Sequence, residues 1–382
     1  LLTNGRFFVK TWSVRAAALS ATLALLLPTV ALATSPANTT AVAKGLAYLG
    51  TQKQPDGSFA GFAGVDAWVA MAYSAVGTTP DTTYLKAHPP AAGATATEWE
   101  RDLLAISAAG QNPYNFGGVN YVAGLKALHT GGQLGSPTAV NDDFFGIAAL
   151  VGAGLGSSDP ALTDALAFTL AHQHADGGFS YTTDAATGSD TDDTSAAIIG
   201  LEAAKNAAVA VPATALTNAR AFLLSKQNAD GGFLSDPAWG TDSNVSSSAW
   251  ALMALNSLGE QNGTPGTAVQ VYLRGTQQQD GSFPYMSGPG DTFDSAYAVM
   301  ALAGGDWPQH VYDGPVPSPS VTPSPSPTPA GSVLGASTGG PSGAGTATLP
   351  AVGSTGAGAL AAVFTLAWFA VIAAAIRRRT QS

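Results

Sequence analysis

The chain contains no cysteine. Disulfides, thiolate catalysis and thiolate-bound metals are therefore excluded at the outset. Charge is scarce too, at 10% of residues, and basic residues are fewer than acidic ones, 15 against 25. The five histidines form no pair on one helical face; His172 and His174 stand two apart and would point differently on a helix. The sequence thus implies no metal site and no cofactor. Residues 36–312 hold 24 of the 25 acidic residues but only nine of the fifteen Lys and Arg. Nucleic acid is not an expected partner for so acidic a segment.

What is present first concerns the ends. Residues 1–33 combine Arg6, Lys10 and Arg15 with an apolar run and the small-residue site Ala31-Leu32-Ala33, the layout of a secretory signal peptide. Gly356 to Ile376 is free of charge and is followed by Arg377, Arg378 and Arg379. Such a stretch is long enough to span a bilayer, with the arginines on the cytoplasmic side. The segment 351–382 is therefore expected to anchor the chain in a membrane. Leu349-Pro350-Ala351-Val352-Gly353 resembles the sortase sorting signal of Gram-positive surface proteins, with Val352 where that signal has Thr. Sortase is then a candidate partner. Residues 313–350 are rich in Pro, Ser, Thr and Gly, a stalk of partly polyproline geometry. The expected location is the extracellular face, anchored in the cell membrane or wall by the C-terminus.

The remaining segment, 36–312, is repetitive. Glycine or a small residue followed within a few positions by proline recurs at Gly77 to Pro80, Gly110 to Pro113, Gly154 to Pro160, Asn206 to Pro212, Gly259 to Pro265 and Gly305 to Pro308. These phrases mark helix ends, at intervals in or near the range of repeat architectures. A second phrase reads Gln52 to Phe59, Gln173 to Phe179, Gln227 to Phe233 and Gln277 to Phe283, each with Asp-Gly inside. Asp-Gly makes the turn and Phe plugs the core. Thr130 to Leu134 is a weaker version, and the stretch from Tyr84 to Gly93 lacks it. The following helices align on Tyr73, Ile106, Leu150, Leu201, Leu255 and Leu302. One position earlier the column reads Ala72, Ala105, Ala149, Gly200, Ala254 and Ala301. Small residues let helices approach closely. The expected fold is all-α: an α6/α6 toroid of six helical hairpins.

Lys44-Gly45, Tyr48, Gln52, Gly57 and Phe59 resemble the Gln-Trp repeat of squalene cyclases, with Phe for Trp, and the other repeats look like the motif of protein prenyltransferase β-subunits. The segment resembles the prenyltransferase/squalene-cyclase repeat superfamily. That resemblance implies an α/α toroid but leaves the reaction open. A zinc prenyltransferase site of Asp, Cys and His is ruled out by the missing cysteine.

Asp190-Thr191-Asp192-Asp193-Thr194 resembles the Asp-x-Asp-Asp-Thr motif of class II terpene cyclases, which implies Asp192 as general acid beside Asp190 and Asp193. The competing reading is helix capping, since Asp193 aligns with Glu98, Asp142 and Asp294, and carboxylates suit helix starts. A further column, Trp68, Arg101, Phe145, Ala196, Trp250 and Tyr297, either lines a cavity for an apolar or cationic ligand or packs against outer helices. Trp239, Asp242, Asp291 and Asp294 lie in or beside connectors at the mouth where the inner helices begin. The preferred expectation is a binding module for a small molecule, glycan or protein partner. The alternative is a class II terpene or squalene-type cyclase using Asp192.

Overall fold

The computed structural model describes residues 35–59 and 64–317. The signal-peptide segment, all but the first residues of the stalk, Leu349 to Gly353 and the C-terminal anchor segment lie outside the described residues. The chain divides into units 1–320 and 321–382, and every described residue belongs to the first. Among the described residues no helix is long and apolar enough to cross a membrane.

Six helices form an inner ring: α2 (Val65–Ser74), α4 (Ala96–Ala108), α6 (Asn141–Gly152), α8 (Thr191–Asn206), α10 (Val245–Ser257) and α12 (Thr292–Leu302). Each packs on the next, and α12 returns to α2, so the ring closes. Six outer helices alternate with them: α1 (Pro36–Thr51), α3 (Thr83–Ala87), α5 (Tyr121–Lys126), α7 (Pro160–Ala171), α9 (Ala213–Leu224) and α11 (Thr264–Thr276). Inner helices are buried nearly all round, which is why their sequences are apolar without a polar stripe. The outer α11 buries only Gly266, Val269 and Leu273, a single face at helical spacing.

Each outer helix packs chiefly on the inner helix before it: α7 on α6, α9 on α8, α11 on α10. α12 would be left uncovered, and α1 from the start of the domain covers it. The ring is thus sealed by joining its two ends.

The Gln-to-Phe phrase does the joining. Gln173 Nε2 donates to Gly177 O in its own turn and to Ala215 O on the next outer helix, both at 2.8 Å. Gln227 does the same to Gly231 O and Pro265 O. Gln277 donates to Gly281 O at 3.0 Å and, across the seam, to Ala41 O at 2.8 Å. The turn glycines are forced on two counts. Gly231 has φ +89°, and a Cβ there would lie 2.7 Å from Ala268 O. Phe179, Phe233, Phe283 and Leu134 are fully buried. Leu134 sits on a short hairpin of β1 (His129–Thr130) and β2 (Gln133–Leu134). Each plug's backbone N–H is held by one position on the following inner helix. Asp66, Asp143, Thr194, Ser248 and Ser295 accept from Phe59, Leu134, Phe179, Phe233 and Phe283 at 2.8–2.9 Å. In the repeat that lacks the phrase this position is Trp99.

The helix endings repeat as well. Thr78, Gln111, Leu155, Val209, Glu260 and Gly305 each donate their N–H five residues back, to Tyr73, Ile106, Leu150, Ala204, Leu255 and Met300. This is the Schellman ending. The expected cap positions shift in two repeats. α8 continues through Ala204, with Ala208 in the left-handed conformation (φ 59°), and the last helix ends at Gly304 rather than Gly305. The small-residue column holds: Gly200 lies so close to α6 that a Cβ would meet Phe144 O at 2.4 Å.

Candidate functional site: the mouth of the ring

The inner helices all start at the same end of the ring, and their first turns build its mouth. Asp190, Asn244 and Asp291 are the N-caps of α8, α10 and α12, each in extended backbone. Their side chains accept from the N–H of Asp193 (2.8 Å), Ser247 (2.7 Å) and Asp294 (2.9 Å). This corrects the capping assignment. The cap of α8 is Asp190, not Asp193, and Asp190 has counterparts in two other repeats.

In the first turns of α6, α8 and α12 the carboxyls of Asp142, Asp193 and Asp294 are buried. Asp142 accepts Thr97 Oγ1 from α4 at 3.1 Å, and Asp294 accepts Ser246 Oγ from α10 at 2.5 Å. Adjacent inner helices are thereby stitched together at the mouth. Burial, with Asp291 beside it, pushes the Asp294 carboxyl well above its usual range. Burial next to the Asp193 charge does the same to Asp190. Asp193 rises to about 6, again through burial, with its hydrogen bond to Asp190 opposing the shift.

The column one residue earlier faces the ring's axis. Gly64, Thr97, Asn141, Asp192, Ser246 and Phe293 are each half-buried, while Thr191, Asp193, Val245, Ser247, Thr292 and Asp294 beside them are buried. Sequence reasoning found only Asp192 of this set. The signal was there, four residues before each member of the aromatic column, which is one helical turn. Asp192 is the only carboxylate in the column. Ser235 Oγ donates to its Oδ2 at 3.3 Å, while Oδ1 is buried without a partner among the described residues. Burial first, then the neighbouring Asp190, pushes its carboxyl up to about 7, against the hydroxyls of Ser247 and Ser235. Asp192 therefore holds a proton close to neutral pH and can donate a hydrogen bond or a proton towards the axis.

One turn further in, the aromatic column meets at the centre. Trp68 contacts Trp250 and Tyr297 edge to face, with centroids 6.0 and 5.0 Å apart, and Phe145 contacts Trp250 at 5.7 Å. These rings face one another, not the outer helices. Trp307, from the segment after α12, enters from the other end and stands 5.2 Å from Trp68, 5.5 Å from Phe145 and 4.6 Å from Trp250. Trp307 is 2% exposed. Sequence reasoning missed it because it follows the last repeat and belongs to no column. Trp68, Phe145, Trp250 and Tyr297 thus pack with Trp307 at the centre of the ring.

The rim residues are placed by the connectors. Val140 N–H donates to Tyr181 O, Thr191 N–H to Ser235 O and Val245 N–H to Tyr285 O, at 2.8–3.0 Å. Each connector thus clasps the start of the inner helix before it. Trp239 is 62% exposed. Asp242 is exposed and Asp291 half-exposed. Among the described residues no group of three or more His, Asp or Glu is arranged to hold a metal ion.

The profile of the prenyltransferase alpha-alpha toroid domain family matches residues 198–305. No curated protein matches the sequence. Among solved structures, a protein from Actinoplanes is similar in fold, with a TM-score of 0.50, 15% identity, and coverage of 70% of this chain and 98% of that one. A type II terpene cyclase from Scytonema bound to geranylgeranyl dihydroxybenzoate has a TM-score of 0.48 at 13% identity, covering 70% of this chain and 97% of its own. A polysaccharide lyase has 0.49 at 12% identity, covering 70% and 96%. The match over 198–305 lies within a closed ring of six inner helices, so the α/α-toroid fold of the prenyltransferase toroid domain is what the chain shares with these proteins.

Proposed function

We propose that the toroid is a binding module, carried outside the cell on a C-terminal tether, that takes its ligand at the mouth of the ring. The observation that carries this reading is the filled centre. Five aromatic rings occupy the space where a buried substrate would lie. The mouth, in contrast, offers a ring of half-buried polar groups, Thr97, Asn141, Asp192 and Ser246, with Phe293 between them and Trp239 on a neighbouring connector. Hydroxyls, an amide and a protonated carboxyl beside an aromatic face suit the hydroxyls and C–H face of a glycan end. Binding of a glycan panel by the full chain tests it. Asp192→Ala and Asn141→Ala should each weaken the bound glycan about tenfold, by loss of one or two hydrogen bonds. Binding unaffected by both variants would refute the mouth as the site.

One observation favours a second reading, a class II terpene cyclase. Asp192 combines an axis-facing position with a carboxyl that burial keeps protonated below about pH 7, and protonating an alkene carbon starts from a positioned, protonated acid. That chemistry needs Trp307 to withdraw so that a polyprenyl chain can enter. Turnover of a geranylgeranyl substrate, abolished in Asp192→Asn and raised in Trp307→Ala, would establish it over the binding reading.

A further inference from the structure

The opposite end of the ring carries a recess of its own. The C-terminal ends of α6, α8 and α10 and the segment after α12 enclose a cleft of about 480 Å³, within the size range of small-molecule sites. Glu202 and Asp306 line it beside Trp307, Leu155, Pro308 and Val311. Three helices point their carbonyl ends towards this side, and helix C-termini favour positive charge.

The two carboxylates are not equivalent. Glu202 already has a counter-ion, since Lys205 Nζ lies 2.9 Å from both of its oxygens. Asp306 takes part in none of the ion pairs among the described residues. Asp306 and Glu202 are the titratable residues of the cleft wall. Burial, with the Glu202 charge behind it, pushes the Asp306 carboxyl up to about 7, opposed only by its own backbone N–H. An unpaired carboxyl thus lines the cleft beside the buried Trp307. Indole nitrogen Nε1 of Trp307 is buried without a partner, so the ring enters this wall as an apolar surface.

We propose that the cleft is a binding site for a small organic ammonium ion, its charge held by Asp306 and its carbon portion laid against Leu155, Pro308 and Val311. The cation supplies what Asp306 lacks, and the apolar lining of Leu155, Pro308 and Val311 favours an organic cation over a hydrated inorganic one. The same chemistry is offered by a free alkylamine and by a lysine side chain of a partner protein.

Calorimetric titration of the full chain with n-butylammonium and with a blocked Ala-Lys-Ala peptide tests the proposal, and the tighter of the two identifies the source. Binding requires ionised Asp306, whose charged fraction rises from roughly a tenth at pH 6 to roughly nine-tenths at pH 8. Affinity should therefore increase about tenfold over that range, while both probes stay protonated. Asp306→Asn should weaken binding at pH 8 at least about tenfold and flatten the pH profile. Val311→Lys places a competing ammonium on the exposed rim and should weaken binding of both probes. Equal affinity at both pH values, equal affinity in Asp306→Asn, or no heat from either probe at about 50 mM would overturn the proposal. Because the cleft and the mouth are at opposite ends, neither Asp192→Ala nor Asn141→Ala should affect this titration.

Discussion

Replacing Trp307 is the sharpest test of how the ring is held together. The indole is buried at the centre against Trp68, Phe145 and Trp250, and no backbone of a regular element holds it there. Removing so large a buried ring costs about 3–5 kcal/mol in well-packed interiors, so Trp307→Ala should lose that much. Trp307→Phe should behave quite differently. The smaller ring gives up about 1–2 kcal/mol of apolar burial. Its substitution also deletes an N–H that has no partner, and an unmet buried donor costs about 1–3 kcal/mol. The two effects nearly cancel, and Trp307→Phe should lie within about 1 kcal/mol of the wild type. Urea unfolding followed by far-ultraviolet circular dichroism gives both values from the midpoints, provided the slope is unchanged. A loss under about 1 kcal/mol for Trp307→Ala would mean that the indole is not seated in the centre. A loss for Trp307→Phe as large as for Trp307→Ala would mean that the N–H is bonded after all. In the first case the argument for a filled centre, and with it the preference for the mouth over a cavity, fails.

The pH dependence of stability should run against the usual acid denaturation. Burial holds Asp102 and Asp193 at about 6, Asp192 and Asp306 at about 7 and Asp143 at about 8. Between the unfolded value near 4 and these folded values the native state binds more protons than the unfolded chain, so stability falls as pH rises through that window. The thermal midpoint should be highest near pH 4 and several degrees lower at pH 8; a midpoint that rises from pH 5 to pH 8 would contradict this. Gly231→Ala combines a left-handed backbone with a Cβ 2.7 Å from Ala268 O and should destabilise by about 2–4 kcal/mol in the same urea assay. Asn244→Ala removes the N-cap of α10 and should cost about 1 kcal/mol, with a loss below the resolution of the assay counting against that cap.

How far the sequence reveals this molecule depends on whether a feature is repeated. Helix endings, Asp-Gly turns and phenylalanine plugs are local and recur, so aligned copies expose them, and Gly77, Gly231 and Phe233 fall where their phrases require. Capping was ambiguous because Asp190 and Asp193 are both competent caps three residues apart; only the extended backbone at Asp190 settles which one acts. Ring closure by α1 was hidden because no copy of the phrase shows that Gln277 must reach Ala41. Trp307 was hidden for the opposite reason, having no copy at all. The same logic bears on function. At the axis-facing position the other five inner helices carry Gly64, Thr97, Asn141, Ser246 and Phe293, and only α8 carries a carboxylate. Girdle and caps around it are repeated and account for the fold without it. Nothing in the packing requires an acid at Asp192, and one oxygen lies buried without a partner. A group that costs stability above neutral pH and is not needed to close the ring is the place where the ring's chemistry departs from its architecture.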